Sequence, residues 1–227
     1  MSVSIDRGGS GPLATSGFTL LEVILAAALV LMLGALAVGF LNPSLRALSR
    51  GSTRADMQQD AMVALGRLCA DLQATATSAV GLLNPEASGP GPVVISLVRV
   101  ETTAPPTGEA QWETSVIAYV WDRASERVVR RVFATANPVI SGMGLSGLSP
   151  RRADDATLTR MASMSNPADD DVLAFGVRQF RVATAGSGKS YISPPFTIRI
   201  EMARAGSHRN EPERYVMTRS VTTRNHE

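Results

Sequence analysis

The sequence has little of the chemistry that most metal and thiol sites require. Its 227 residues include one cysteine, Cys69, and two histidines, His208 and His226, both near the C-terminus. A single cysteine cannot form an intramolecular disulfide. With so few ligands, a zinc site of the usual kind and a cysteine–histidine nucleophile pair are nearly excluded.

Charge of one sign is also scarce. The 22 basic and 20 acidic residues leave a net charge of +2, and Lys189 is the only lysine. No strong overall field therefore attracts nucleic acid or anionic lipid. Apolar residues make up 44% and charged residues 19%, which is ordinary for a folded protein and excludes a disordered or collagen-like chain. At about 150 residues per domain, the length suits one domain with some excess.

Long apolar runs, by contrast, are concentrated in one place. Residues 18–41 contain a single charged residue, Glu22, and the 19 residues from Val23 to Leu41 carry no polar side chain. As a helix this run spans about 28 Å, close to the thickness of the hydrocarbon core of a bilayer.

Three interpretations of this run compete. A buried core helix should show a polar stripe, which is absent. A secretory signal has an apolar stretch of about 7–15 residues and a small-residue cleavage site, for which residues 35–37 (Ala-Leu-Ala) would serve. Here the run is longer, Arg7 is balanced by Asp6, and a glutamate lies inside the run. We therefore favour a membrane anchor.

The start of the run carries a specific motif. Residues 17–23, GFTLLEV, followed by 18 further apolar residues, resemble the cleavage and methylation site of type IV prepilins and type II secretion pseudopilins. The resemblance implies that residues 1–17 are a leader, that a prepilin peptidase cuts after Gly17, and that the new N-terminal Phe18 is methylated. It also implies that the Glu22 carboxylate pairs with the N-terminal amine of a neighbouring subunit. Two buried opposite charges are each costly alone and tolerable as a pair.

Beyond this transmembrane or assembly helix of residues 18–41, the segment 42–80 is expected to continue as an amphipathic helix. Pro43 predicts a kink or a short break, and helical periodicity predicts a helix over roughly residues 52–79. Cys69 and Met62 are interpreted as small core fillers. The expected apolar stripe consists of Ala61, Leu65, Leu68, Leu72 and Ala76.

Residues 81–227 are predicted to form a globular antiparallel β domain. The six candidate strands are Val93–Val100, Val116–Trp121, Arg127–Phe133, Val172–Val182, Phe196–Met202 and Tyr215–Thr223. The stretches 101–111, 134–170 and 184–195 are rich in Gly, Pro, Ser and Asp and are interpreted as loops. The predicted fold class is α+β: a long N-terminal helix, with a membrane-spanning first half and an amphipathic second half, packed on an antiparallel sheet.

This second half is similar to one branch of the same superfamily. The segments VIAYVWDRASERVVRR (116–131), LAFGVRQFRV (173–182), PPFTIRIEM (194–202) and TRSVTTRN (218–225) resemble, in the same order, strands of PilW-type minor pilins and GspJ-type minor pseudopilins. Together with the N-terminal motif, the resemblance covers about two-thirds of the chain.

Three other patterns are better explained structurally. Residues 183–190 resemble a phosphate-binding loop, but two prolines follow where the required helix should begin, so a hairpin loop is predicted. Asp169–Asp171, with Asp154 and Asp155, lack the spacing of a calcium loop and are interpreted as a solvated turn. Arginine recurs every five residues from Arg199 to Arg224, a period that fits neither a helix nor a strand face.

The expected function is that of a minor subunit of a type IV pilus or a type II secretion pseudopilus, without catalytic residues, metal or cofactor. Its expected partners are the prepilin peptidase, other pilin or pseudopilin subunits, the inner-membrane assembly platform and membrane lipid, with no nucleic acid or small-molecule substrate. The expected location is the inner membrane, crossed once with the globular domain on the periplasmic side, and then the filament. Two alternatives stay open: a competence-type pseudopilin contacting DNA, and a membrane-anchored periplasmic enzyme or ligand-binding protein.

Overall fold

The computed structural model describes residues 19–87, 89–103, 110–134, 136–140, 152–164, 170–185, 192–205 and 212–224. The chain divides into two compact units, the first ending at Ala47 and the second beginning at Leu48. The predicted α+β class is confirmed: a long N-terminal helix packs on antiparallel sheets.

The N-terminal helix α1 covers Leu20–Gln73, a single element of 54 residues with Pro43 inside it. Of the expected kink or short break at Pro43, the break is therefore wrong, and the kink stays a prediction. A proline removes one backbone donor, the one that would reach the carbonyl of Gly39, and the helix is assigned without interruption on both sides of that single gap. The hydroxyl of Ser44 also donates to the carbonyl of Phe40 at 2.9 Å. The helix ends at Gln73, earlier than expected, and a short 3₁₀ turn follows at Thr77–Ala79.

The described residues of the second unit form ten strands. They are β1 (Gly81–Leu83), β2 (Val93–Leu97), β3 (Val100–Thr103), β4 (Ala110–Trp112), β5 (Ser115–Asp122), β6 (Arg127–Ala134), β7 (Asp171–Phe175), β8 (Val177–Thr184), β9 (Phe196–Arg204) and β10 (Glu213–Val221). Antiparallel pairing gives a five-stranded sheet in the order β1-β2-β5-β6-β7, a three-stranded sheet in the order β10-β9-β8, and the pair β3-β4.

The five-stranded sheet is buried on both faces. One face, with Ile117, Tyr119 and Trp121 of β5, joins the core formed with α1. The other face, with Val116 and Ala118, packs beneath a second helix, α2, at Asp155–Ser163. A strand buried on both faces reads as a continuous apolar run, which is why β2 and β5 were recognisable in the sequence.

The three-stranded sheet has one buried face and one wet face. In β9 the side chains of Phe196, Ile198, Ile200 and Met202 are fully buried, whereas Arg199 between them is exposed. The alternation of buried and exposed side chains that the sequence predicts for this strand is therefore confirmed. The sheet packs on α1 through the same core cluster.

Several local predictions were wrong for identifiable reasons. The expected strand 172–182 is two strands in different sheets, because Gly176 adopts φ +69°, a conformation that L side chains rarely take. The expected loop 134–170 contains α2, whose apolar pattern is limited to Leu158 and Met161. The expected loop 101–111 contains parts of β3 and β4. Met62 is exposed, unlike Cys69, which is buried as expected.

Candidate functional site

The first unit consists, in its described part, of an apolar helix with an exposed surface. Every residue from Thr19 to Ala47 is exposed. The helix is long and apolar enough to cross a membrane by length and composition, and none of its most apolar window is buried. Because contiguous exposed apolar surface of this extent marks a membrane or protein contact, this stretch is the candidate functional site. Its large exposed side chains are Leu20, Leu21, Val23, Ile24, Leu25, Leu29, Val30, Leu31, Met32, Leu33, Leu36, Val38, Phe40, Leu41 and Leu45.

Glu22 lies in the first turn of this helix. Its backbone N–H donates to the carbonyl of Thr19 at 3.0 Å and lies 3.4 Å from the Thr19 hydroxyl oxygen, so Thr19 caps the helix. A carboxylate in the first turn is favoured by the helix dipole. Among the described residues, no cation pairs with the Glu22 carboxylate. Gly17 and Phe18, the predicted processing residues, lie outside the described residues.

The part of α1 in the second unit has the opposite character. The predicted stripe is confirmed for Ala61, Leu65, Leu68 and Leu72, which are buried on α1, whereas Ala76 is buried but lies beyond the end of the helix at Gln73. The stripe packs on the inner faces of the five-stranded and three-stranded sheets. The chain just beyond the end of α1 at Gln73 is held by backbone hydrogen bonds. In one of them the N–H of Val100 donates to the carbonyl of Ala74 at 2.7 Å.

A buried carboxylate joins this part of the helix to the sheet. Asp71 is only 5% exposed and accepts a hydrogen bond of 2.6 Å from the Tyr119 hydroxyl. It also accepts from Nε of Arg130 at 3.2 Å and from Arg99 at 3.4 Å, and Arg99 in turn lies 2.8 Å from Glu113. These partners come from β5, β6 and the segments flanking β3 and β4. This cluster was not predicted from the sequence.

Electrostatics in the cluster follow from burial and from the Asp71 charge. Burial raises the pKa of Tyr119, and the hydrogen bond to Asp71 raises it further, so this hydroxyl stays protonated. Burial alone would lower the pKa of Arg130, but the adjacent Asp71 carboxylate outweighs that effect and raises it. The arrangement holds one proton donor and two guanidinium groups on one carboxylate, which fixes the helix against the sheet.

Of the acidic residues interpreted as a solvated turn, Asp154, Asp155 and Asp171 are exposed, but Asp170 and Asp154 also have structural partners. Asp170 accepts two hydrogen bonds from Arg131, at 2.8 and 3.0 Å, and Arg131 also donates to the carbonyls of Met161 and Ala162 at the end of α2. Asp154 caps the start of α2, where hydrogen bonds from the side chain and then from the backbone N–H of Thr157 lower its pKa. Asp169 lies outside the described residues.

No metal site appears in the part of the chain that the structure describes, where no three His, Cys, Asp or Glu side chains could hold an ion together. The segment that resembles a phosphate loop connects β8 and β9, which are antiparallel neighbours, so the predicted hairpin connection is confirmed. Residues 186–191 of that connection lie outside the described residues.

Comparison with known proteins gives no match: no protein-family model, no curated protein and no solved structure matches this chain. The fold itself, a long apolar N-terminal helix on antiparallel sheet, is compatible with a pilin-like fold.

Proposed function

We propose that this protein is a pilin-like filament subunit, made as a prepilin, cleaved after Gly17 and packed into a type IV pilus or a type II secretion pseudopilus through the first part of α1. The observation that carries the proposal is the GFTLLEV motif at the start of α1, followed by a stretch in which every residue up to Ala47 is exposed. An exposed apolar helix would suit a simple membrane anchor equally well, whereas a simple anchor needs no such motif, so the motif is what favours the filament role.

An exposed apolar helix requires an apolar environment from outside the chain. Burying a leucine side chain is worth about 1.5–3 kcal/mol, and this stretch exposes many such side chains. In the proposed role, lipid supplies that environment before assembly and neighbouring helices supply it afterwards. The subunit would cross the inner membrane once, with the second unit on the periplasmic side, and would be extracted by the assembly platform.

Glu22 would meet different surroundings in lipid and in the proposed filament. A carboxylate within a membrane helix costs about 2–3 kcal/mol near the bilayer centre and less near an end. Glu22 has no cationic partner among the described residues. In the proposed filament, the N-terminal amine of Phe18 from a neighbouring subunit is that partner, so assembly recovers part of the cost of desolvating the carboxylate.

Intact mass spectrometry of the membrane-extracted protein tests the proposal. We expect a chain that begins at N-methylated Phe18 in cells with a prepilin peptidase and an uncleaved chain in cells without it. A mature N-terminus at Val38 would indicate signal-peptidase cleavage after Ala37 and would contradict the proposal.

Substitution of Glu22 tests the assembly role separately. Glu22→Ala should leave membrane insertion intact, because it removes one polar group from the helix, and should sharply reduce incorporation into filaments. Glu22→Gln should lie between, since it keeps hydrogen bonding and loses charge. The measurement compares membrane abundance with abundance in sheared or cross-linked filaments. Glu86→Ala, which removes an exposed carboxylate outside α1, is the matched control. Equal incorporation of Glu22→Ala and wild type would remove the pairing role.

A further inference from the structure

Strand β10 leaves one side of the three-stranded sheet open. It pairs with β9 along nine consecutive residues without a register shift, and no described strand pairs with its other side. The edge strands of the five-stranded sheet are shorter, since β1 has three residues and β7 has five. The outer edge of β10 is therefore the longest regular edge in the part of the chain that the structure describes.

This edge strand is held in place near both of its ends. At its start, the Glu213 carboxylate lies 3.7 Å from Nε of Arg50, which belongs to the part of α1 in the second unit. Just beyond its end, the N–H of Arg224 donates to the carbonyl of Thr75 at 3.0 Å. β10 therefore runs in the same direction as the part of α1 beside it. A strand that is ordered beforehand loses little conformational entropy when another strand joins it.

β10 lacks several of the features that usually protect such an edge. Proteins use short strands, prolines, bulges and charged side chains for this purpose, because unpaired N–H and C=O groups attract another strand. β10 contains no proline, and its register with β9 is regular. It does carry charges, but Glu213 and Arg219, which share the face toward the core, are opposite in sign. Such a pair repels only strands whose own charges stand in the wrong order.

The sequence of β10 is complementary to itself when a second copy is laid antiparallel about Val216. Glu213 of each copy then lies opposite Arg219 of the other, so both charges meet an opposite charge. Between them, Tyr215 lies opposite Met217, and both side chains are partly buried against the core. Opposite charges and apolar pairs are the cross-strand contacts that stabilise antiparallel strands. In this one register the joined edge would extend the core and neutralise its charges.

The outer face of β10 carries an exposed apolar side chain at the centre of this register. Val216 is 44% exposed, and its neighbours on that face are the exposed Arg214 and Thr218. With Val216 on the twofold axis, its side chain meets the same side chain of the second copy. Arg214 then lies opposite Thr218, so no like charges oppose each other on this face.

We propose that two copies of this chain pair through their β10 edges, antiparallel about Val216, so that two three-stranded sheets become one six-stranded sheet. A contact of this kind uses the same surface on both copies and closes on itself as a dimer. One strand from each copy buries less area than the interface of a permanent dimer. We therefore expect a reversible contact, which a covalent bond across the axis can trap.

Cysteine cross-linking of the full chain in detergent micelles tests the register. In a Cys69→Ala background, Val216→Cys places one thiol of each copy at the twofold axis, where a mild oxidant should produce disulfide dimers. Thr218→Cys places the two thiols about 13 Å apart along the strands, beyond the reach of a disulfide, and should yield about fivefold less dimer. Mixing the Thr218→Cys chain with an Arg214→Cys chain should restore the yield, because these two positions lie opposite each other.

Charge exchange tests the chemistry of the pairing. In the Val216→Cys chain, Arg219→Glu places carboxylates opposite each other at both ends of the contact and should reduce the dimer yield about fivefold. Adding Glu213→Arg makes the opposed charges attractive again and should restore the yield. Arg214→Glu, on the other face and opposite Thr218, is the matched control and should leave the yield unchanged. Near-ultraviolet circular dichroism checks that each variant folds.

The comparison of Val216→Cys with Thr218→Cys is sufficient to overturn the proposal. Equal dimer yields would show that the copies associate elsewhere, as through the apolar helix, and an absence of dimer from folded Val216→Cys would show that this edge does not bind a second copy. Both replaced side chains are exposed, so the core is unchanged. Because the assay involves neither Gly17 nor Glu22, its outcome is independent of processing and filament assembly.

Discussion

The two parts of α1 are made of similar residues and meet opposite surroundings. Leu31, in the first unit, is 75% exposed, whereas Leu65, in the second, is fully buried against the sheets. The first part has no polar side chain for 19 residues after Glu22, and the second has a polar face and a buried carboxylate at Asp71.

Helix propensity cannot explain this difference, because leucine and alanine favour a helix in both parts. The difference comes from the residues that lie between the apolar ones. In the second part, polar residues at regular intervals leave one stripe for the sheets. In the first, the apolar residues surround the helix completely, which suits an environment that is apolar on all sides. The same residue type therefore stabilises the folded domain in one part and serves an external contact in the other.

The largest effect should come from removing the charge that holds the second part to the sheet. Asp71→Ala leaves Arg130, whose side chain is 12% exposed, without its carboxylate partner. Breaking a buried ion pair from one side costs about 3–5 kcal/mol, so the free energy of unfolding should fall by about that amount. Urea unfolding of the full chain in detergent, followed by tryptophan fluorescence, measures it.

Two further variants test whether the decrease in the free energy of unfolding is specific to the Asp71 charge. Asp56→Ala removes an exposed carboxylate from the same helix and should change the free energy of unfolding by less than about 0.5 kcal/mol. Asp71→Asn should lie between, because it can still accept from Tyr119. Equal effects of the two alanine substitutions would show that Asp71 does not hold the helix on the sheet.

A matched pair of leucines compares the two parts directly. Leu65→Ala leaves a cavity in the core and should lower the free energy of unfolding by about 3 kcal/mol. Leu31→Ala should leave it unchanged, because the Leu31 side chain is 75% exposed. The same urea unfolding experiment serves both. A similar decrease in the free energy of unfolding for Leu31→Ala would contradict the conclusion that only the second part of α1 stabilises the folded domain.

The smallest effect concerns the Tyr119 hydroxyl. Tyr119→Phe should lower the free energy of unfolding by about 1.5 kcal/mol near neutral pH, since a hydrogen bond to a charged group is lost. The folded pKa is raised above the ordinary value of 10.0. The wild-type advantage is therefore complete below pH 10, and it decreases above pH 10 by about 1.4 kcal/mol per pH unit, because only the unfolded tyrosine then loses its proton.

Unfolding at about pH 9 and about pH 11 compares the two proteins. The difference between wild type and Tyr119→Phe should shrink or reverse at the higher pH. A difference that is constant across this range would mean that Tyr119 ionises alike in the folded and unfolded chain.

Local pattern was sufficient to predict the elements with strong periodicity. The stripe through Leu65 and Leu68, the β5–β6 hairpin and the alternation in β9 all follow from spacing alone. Gly176 was not recognisable as a change of sheet, because its consequence depends on the nearby carbonyl of Ala203, 2.8 Å from where a Cβ would stand.

The Asp71 cluster was unpredictable for a different reason. Its partners Tyr119 and Arg130 are 48 and 59 residues away along the chain, and only the tertiary fold brings them together. Nothing in the spacing of Asp71 on the helix distinguishes it from a solvated carboxylate. The predicted roles of Gly17, Phe18 and Glu22 rest on resemblance and stay predictions.

The parallel course of β10 and the second part of α1 has a mechanical consequence. The strand is tied to the helix near both of its ends, by Arg50 with Glu213 and by Thr75 with Arg224. A pull along the helix axis would thus load the contacts between helix and sheet in shear, sharing the force among all the buried side chains at once. Contacts loaded in this way resist more force than contacts that peel apart one after another.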